Sequence, residues 1–370
     1  GVAEYVVATG EIRFLESADH DLTGWPDPTG ERLLLVDRVD GAETLRIRQG
    51  EDTAAVAMPE HALATWRSEP IWSADGKRLA LTINSATAPD DVYVWSGTEL
   101  SRLTDSAAQL PTGSLAAPEI HRVPAPDGEQ IPCFLYRPEN GDGSVVLIVH
   151  GGPESESVQS WNPVLHGLLQ AGHAVAVPNV RGSTGYGKRW AALDDVRLRL
   201  DSVADLAAVH AWLPSVGLDP RRAALYGGSY GGYMVLAGLS MQPELWAAGI
   251  DIVGISSLVT FLENTSSYRR AYREREYGSI ENDRDFLIEA SPITHVDAMR
   301  APLLIIHGAN DPRVPLSEAE QIAAALRSRN IECELHVYAD EGHGLSKLHN
   351  KLDAYPKAIE FLNRHLTSRP

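Results

Sequence analysis

The hexapeptide Gly227-Gly228-Ser229-Tyr230-Gly231-Gly232 stands between an apolar run at 223–229, AALYGGS, and a second apolar run at 230–242. The first reads as a strand and the second as a helix. Strand, cramped turn and helix in direct succession leave a chain few ways to fold. The strand must be covered, the helix must pack back on it, and the turn residue is lifted above the sheet edge. Side chains at Gly227 and Gly231 would collide with neighbouring backbone. The following helix aims the positive end of its dipole at the turn. A serine held there reads as a nucleophile, so Ser229 is the first candidate catalytic residue.

The sequence around this turn alternates strands and helices. Strands are expected at 118–124, 130–136, 144–150, 174–180, 223–229, 247–254, 302–308 and 332–339. Helices are expected near 158–172, 198–215, 230–242, 316–329 and 351–367. Continuous apolar strands separated by helices predict a mostly parallel sheet covered on both faces. PTGSLAAPEI at 111–120 resembles a linker, which sets the expected domains at 1–117 and 118–370.

Residues 1–117 read differently, as short strands broken by turns. GWPDPTGERLLLVDR and PIWSADGKRLALTIN echo each other: Trp25 and Trp72 stand 47 positions apart, Gly30 and Gly76 46 apart. That period suits a four-stranded propeller blade, while a small antiparallel sheet with incidental similarity is the plainer alternative. At this period the region has room for roughly two and a half blades, and closed propellers need about four or more. An incomplete propeller-like region is therefore expected. Its unpaired edges would be covered by a homo-oligomer or by a missing propeller portion.

Partners for Ser229 follow in the order Ser, Asp, His. Asp311 lies in HGANDPRVP just past the strand at 302–308, and His343 in DEGHGL just past the strand at 332–339. His307 and His150 are rival bases and Asp340 a rival acid. His307 ends a strand close to Asp311, His150 belongs to the glycine-rich His150-Gly151-Gly152-Pro153 loop, and Asp340 is expected to cap its own loop. The backbone N–H groups of Gly152 and Tyr230 are the candidate oxyanion donors. Arg181, in NVRGSTGYG, is expected either to brace the floor of the site or to meet a substrate carboxylate. Asp201 and Asp205, a helical turn apart, read as braces. Within 259–290, Phe261, Tyr268 and Tyr272 either line an apolar pocket or pack a surface helix.

Composition narrows the partners. With 50 acidic and 32 basic residues the formal charge is -18, which offers no basic footprint for nucleic acid. The basic cluster Arg270, Arg273 and Arg275 is interleaved with Glu274 and Glu276 and reads as a solvated helix. NVRGSTGYG lacks the G-K-[ST] ending of a phosphate loop, and neither cofactor nor metal is expected. No stretch is long enough to span a membrane and no leader pattern opens the sequence, so a soluble, cytoplasmic protein is expected. Cys133 and Cys333 do not resemble a disulfide framework and are expected to be buried free thiols.

Taken together, His150-Gly151-Gly152-Pro153, Asn179-x-Arg181-Gly182-Ser183-x-Gly185-x-Gly187, Gly227-Gly228-Ser229-Tyr230-Gly231-Gly232-Tyr233, His307-Gly308-x-x-Asp311-x-Arg313-Val314-Pro315 and Gly342-His343-Gly344 resemble the prolyl oligopeptidase family of serine peptidases. The likeness is to its acylaminoacyl-peptidase and dipeptidyl-aminopeptidase branch, and it runs from about 118 to 365. It implies an α/β-hydrolase domain with an N-terminal β-propeller, here incomplete, and Ser229, Asp311 and His343 as the triad. It also implies a short peptide or N-acylated aminoacyl substrate. An esterase or amidase acting on a small metabolite is the alternative enzyme, and a catalytically dead scaffold the alternative of another class.

Overall fold

A computed structural model describes residues 1–110 and 117–367. Residues 111–116 of the linker-like stretch lie outside the described residues, while the expected junction at 117/118 falls just beyond them. By packing the chain divides into two units. One holds Gly1–Pro118, Val158–Pro163 and Thr184–Lys188; the other holds Glu119–Ser157, Val164–Ser183 and Arg189–Pro370.

The first unit is built from hairpins. Strands β1 (Val2–Val6) and β2 (Glu11–Glu16) pair with each other. Then come β3 (Asp21–Pro26), β4 (Arg32–Val39), β5 (Ala42–Gln49) and β6 (Asp52–Val56), a four-stranded meander in sequential order. A second meander follows: β7 (Ile71–Trp72), β8 (Leu79–Ser85), β9 (Ala88–Trp95) and β10 (Leu100–Arg102). The repeat visible in the sequence is thus a repeat of four-stranded sheets. Trp25 and Trp72 occupy their first strands, and Gly30 and Gly76 close the following turns at φ +75° and +65°, where a side chain is strained. Leu34, Val36, Leu45, Ile47, Leu79, Leu81 and Ile83 form one core, with Trp25 and Trp72 against it. Trp72 Nε1 donates to the Trp25 carbonyl at 3.2 Å.

The second unit is an eight-stranded sheet. Its strands are β11 (Glu119–Pro124), β12 (Gln130–Tyr136), β13 (Val145–Val149), β14 (Ala174–Pro178), β15 (Ala223–Gly228), β16 (Ala248–Ile252), β17 (Leu303–Gly308) and β18 (Cys333–Tyr338). They lie in the order β11-β12-β14-β13-β15-β16-β17-β18, parallel from β14 to β18, with β11 and β12 antiparallel at one edge. β14 and β17 are buried along their whole length, as strands covered by helices on both faces must be. The helices are α1 (Pro163–Gln170), α2 (Gly187–Ala191), α3 (Arg199–Trp212), α4 (Tyr230–Met241), α5 (Leu258–Asn264), α6 (Ser267–Tyr277), α7 (Ile280–Glu289), α8 (Leu316–Ser328) and α9 (Leu348–Leu366).

Two expectations shift. The helix expected from 158 begins at Pro163, whose fixed φ and missing N–H suit a first helical turn. The segment 259–290 holds three helices, broken after Asn264 and by Gly278. Both cysteines are free; Cys133 is buried, its thiol pushed up to about 12 by burial, but Cys333 is only half-buried. No helix among the described residues is long and apolar enough to cross a membrane.

Candidate active site

The carboxyl ends of β13, β15, β17 and β18 carry, in turn, the His150-Gly151-Gly152 loop, Ser229, Asp311 and His343. Open parallel sheets place their sites at this end. Ser229 heads α4 with φ 58° and ψ -116°, a conformation unusual for a residue with a side chain. Its N–H donates to the Ile252 carbonyl at 2.8 Å. The turn closes only without side chains nearby: a Cβ on Gly227 would lie 2.2 Å from the Gly231 carbonyl oxygen, and one on Gly231 2.1 Å from that of Val149.

Ser229 Oγ lies 3.0 Å from His343 Nε2, and His343 Nδ1 lies 2.7 Å from Asp311 Oδ2. The carboxylate can only accept, so Nδ1 carries the proton and Nε2 is free to accept from Ser229. Burial would raise the Asp311 carboxyl. The His343 hydrogen bond and the N–H groups of Val314 and Arg313 outweigh it and hold the group below the usual carboxylate range.

The rivals have other partners. His307 Nε2 donates to the Val314 carbonyl at 3.1 Å, and burial lowers its pKa, so a neutral ring packs behind Asp311. His150 is likewise held neutral by burial, between the Gly151 carbonyl and Ser183. Asp340 takes Lys347 at 2.6 Å and Asn350 at 3.0 Å.

A further serine–histidine contact, Ser144 Oγ to His173 Nδ1 at 2.5 Å, lies at the opposite, amino-terminal end of the strands. Both residues are wholly buried, and His173 Nε2 is taken by Asn363 Oδ1 at 2.7 Å. With no opening for a substrate, this pair ties α9 to the sheet.

The indentation beside Ser229 is shallow, with an enclosed volume of only ≈ 10 Å³, and is partly open to solvent. Gly152 borders it, and a Cβ on Gly151 would lie 3.5 Å from Ser229 Cβ. The loop is anchored by Asn179, which accepts from Ser157 N at 2.7 Å and donates to Ser157 O at 3.0 Å. The Tyr230 N–H begins α4, where no helical acceptor exists. Phe261 lines the pocket; Tyr268 and Tyr272 do not. Tyr268 is exposed, and Tyr272 donates its hydroxyl to Glu154 at 2.5 Å. The ring facing the pocket is Tyr277, at the end of α6 and edge-on to Phe261 at 5.9 Å.

Arg181 is no pocket residue. Its guanidinium pairs with Asp205 at 2.6 Å and Asp127 at 2.6 Å, so it braces the strand ends. Asp201 and Asp205 do not form a pair, because Asp205 is spent on Arg181. The basic cluster also departs from a solvated face. Arg270 pairs with Glu274 at 3.0 Å on the outside, but Arg269 and Arg273 line the pocket with Arg313, and Glu276 is buried.

Other contributors carry little local signal. Glu341 receives Ser346 N at 3.0 Å, Lys347 N at 2.8 Å and Asn350 Nδ2 at 2.8 Å, which shapes the loop that presents His343. The Asn350 hydrogen bond, with these N–H donors, lowers its carboxyl to about 2 against burial. Arg199, wholly buried, salt-bridges Asp194 and Glu276 and lies 5.1 Å from the Tyr230 ring and 4.7 Å from that of Tyr277. Asp194, Asp195 and Glu276 offer oxygens within 4.8 Å of one another, but the guanidinium already supplies the cation there.

Asp251 lies beneath the serine turn, 2.3 Å from where a Gly232 Cβ would stand. Neither carboxyl oxygen has a hydrogen-bond partner of good geometry among the described residues. Burial pushes the group from 3.8 up to about 7, with the Gly254 N–H pulling weakly back. Folding therefore takes up a proton between about pH 4 and pH 7, and stability falls as pH rises through that window. The effect is on the order of 4 kcal/mol. Asp251→Asn is expected to remove this contribution: urea unfolding should show the variant gaining on the native protein from pH 4 to 8. An unchanged difference across that range would contradict it.

A family model described as the prolyl oligopeptidase family matches residues 157–369. Dipeptidyl aminopeptidase BIII of Pseudoxanthomonas mexicana is 32% identical over 294 residues, covering 75% of this chain and 43% of the relative. The acylamino-acid-releasing enzyme of Mus musculus is 29% identical over 274 residues, covering 68% of this chain and 37% of the relative. The chain thus spans less than half the length of either. Among solved structures, a Mycobacterium tuberculosis puromycin-hydrolyzing peptidase superposes with a TM-score of 0.88 at 24% identity, covering 98% of this chain and 58% of that one. At that identity the likeness is one of fold.

Proposed function

Because the chain belongs to the prolyl oligopeptidase family, we propose that it is a serine peptidase hydrolysing short peptides or N-acylated aminoacyl substrates through an acyl-enzyme. The observation that carries this reading is the unbroken hydrogen-bonded series from Ser229 through His343 to Asp311.

In this mechanism His343 Nε2 takes the Ser229 proton as Oγ attacks the scissile carbonyl. Asp311 holds Nδ1 protonated and stabilises the imidazolium that forms. The N–H groups of Gly152 and Tyr230 receive the developing oxyanion, aided by the α4 dipole. The tetrahedral intermediate collapses as His343 protonates the leaving amine. Water, deprotonated by the same nitrogen, then attacks the acyl-enzyme and releases Ser229.

The catalytic domain of this reading is 118–370, with 1–117 a partial propeller-like region. A cytoplasmic setting goes with it, supported by two cysteines that are both free. So does association with a second copy or with further propeller blades, supported by the exposed Tyr5, Ile12 and Phe14 on the β1–β2 hairpin.

The names of the relatives divide between a dipeptidyl aminopeptidase and an acylamino-acid-releasing enzyme. A kcat/KM panel of dipeptidyl, aminoacyl and N-acetyl-aminoacyl amides beside p-nitrophenyl esters tests the proposal. Cleavage of the amides is expected. A blocked amino terminus preferred over a free one selects the acylaminoacyl type, and the reverse the aminopeptidase type. Ester turnover with no amide cleavage would replace the peptidase with an esterase.

A further inference from the structure

Three arginines border the indentation beside Ser229: Arg269 and Arg273, a helical turn apart on α6, and Arg313, two residues past Asp311. Among the described residues no carboxylate lies within salt-bridge reach of any of them. This stands out in a chain with 50 acidic and 32 basic residues. The neighbouring arginines are paired: Arg270 with Glu274 on the outside of α6, and Arg199 with Asp194 and Glu276 below. Of the α6 arginines without an ion pair, Arg275 is exposed, whereas Arg269 and Arg273 line the pocket beside the serine.

The donors are also left partly unused. Arg269 Nε is buried with no hydrogen-bond partner, and a buried donor in that state costs free energy until something accepts from it. Arg273 gives one N–H to the Gly152 carbonyl at 3.3 Å and keeps the rest. Phe261, Ile255 and Tyr277 form apolar walls around them, which weakens screening and strengthens a charge–charge contact. Guanidinium groups are suited to gripping a planar carboxylate with two parallel hydrogen bonds.

We propose that this pocket binds a carboxylate of the substrate, carried either by an acidic side chain of the acyl residue or by the free carboxyl terminus of the leaving part. The inference takes the peptidase reading as its premise and names the substrate class for it.

Calorimetric binding to the Ser229→Ala protein tests it without turnover. The probes are N-acetyl-glutamate amide against N-acetyl-glutamine amide, and acetyl-Ala-Ala with a free carboxylate against its amide. At least one acid is expected to bind about tenfold or more tightly than its neutral counterpart, as charge-assisted contacts do. The pair that discriminates identifies the source of the carboxylate. The preference should be lost when Arg269→Gln is added and partly kept with Arg269→Lys, with both variants checked by thermal melting. Equal binding of acids and amides, or a preference that survives Arg269→Gln, overturns the proposal. Hydrolysis by the native protein is scored separately, so failure of the peptidase reading appears as absent peptide cleavage and not as absent discrimination.

Discussion

Ser229→Ala is expected to lower kcat/KM on any hydrolysed substrate by about 10⁶-fold, the scale seen when a serine nucleophile is removed from an intact site. The hydroxyl supplies the atom that bonds to the substrate carbonyl, and among the described residues no other serine, threonine or cysteine side chain borders the pocket. His343 Nε2 points at this oxygen alone, at 3.0 Å. A small residual rate should persist from the Gly152 and Tyr230 N–H groups and from binding. Ser144→Ala supplies the contrast. Ser144 is also within hydrogen-bond reach of a histidine, but that pair is wholly buried and its second ring nitrogen is taken by Asn363. Its loss should lower the melting temperature and leave turnover nearly unchanged. A fluorophosphonate probe reads the same question covalently: labelling of the native protein, none on Ser229→Ala, and labelling kept on Ser144→Ala. A native protein that resists the probe would favour a scaffold that has kept only its pocket.

Arg199→Met is expected to destabilise the protein by about 3–5 kcal/mol at pH 8, the usual cost of removing one partner from a buried ionic group. Arg199 is wholly buried and joins Asp194 and Glu276 beneath the rings of Tyr230 and Tyr277. Methionine fills similar volume but leaves two carboxyls buried without a cation. Burial already pushes Asp194 up to about 7 and raises Glu276, against the opposing pull of Arg199. Without that pull both rise further and stay neutral in the folded chain. Folding then takes up protons over a window running from the ordinary carboxylate pKa to the raised folded values. The loss should be smaller near pH 5 than at pH 8. Guanidinium unfolding at the two values checks this. A loss of equal size at both would mean that packing, not charge, carries the effect. Tyr230 also begins α4, so kcat should fall with stability even where the variant remains folded.

What could be read from the sequence is what short-range sterics and periodicity fix. The serine turn is legible because Gly227 answers a contact four residues away, 2.2 Å from a Cβ to the Gly231 carbonyl oxygen, whereas Gly231 itself answers the distant Val149 carbonyl. The order of strands and helices follows from apolar runs of characteristic length. The blade-like repeat follows from Trp25, Gly30, Trp72 and Gly76 recurring at one spacing, because each four-stranded meander is a locally closed unit. Ser229, Asp311 and His343 could be named because each sits in a loop directly after a strand of one parallel sheet, and such strands end on the same side.

Tertiary structure alone decided which charged groups meet. Arg181 could have faced a substrate until Asp205, 24 residues on, and Asp127, 54 residues back, closed around it. Arg199 finds Glu276 across 77 residues, a pairing that no local pattern encodes. The phase of α6 placed Tyr277, Arg269 and Arg273 toward Ser229 and turned Tyr268 outward. A helical periodicity fixes which residues share a face, but the face that turns inward is set by what it packs against. A salt bridge likewise depends on distance in space. Neither quantity exists until the sheet has brought distant segments together.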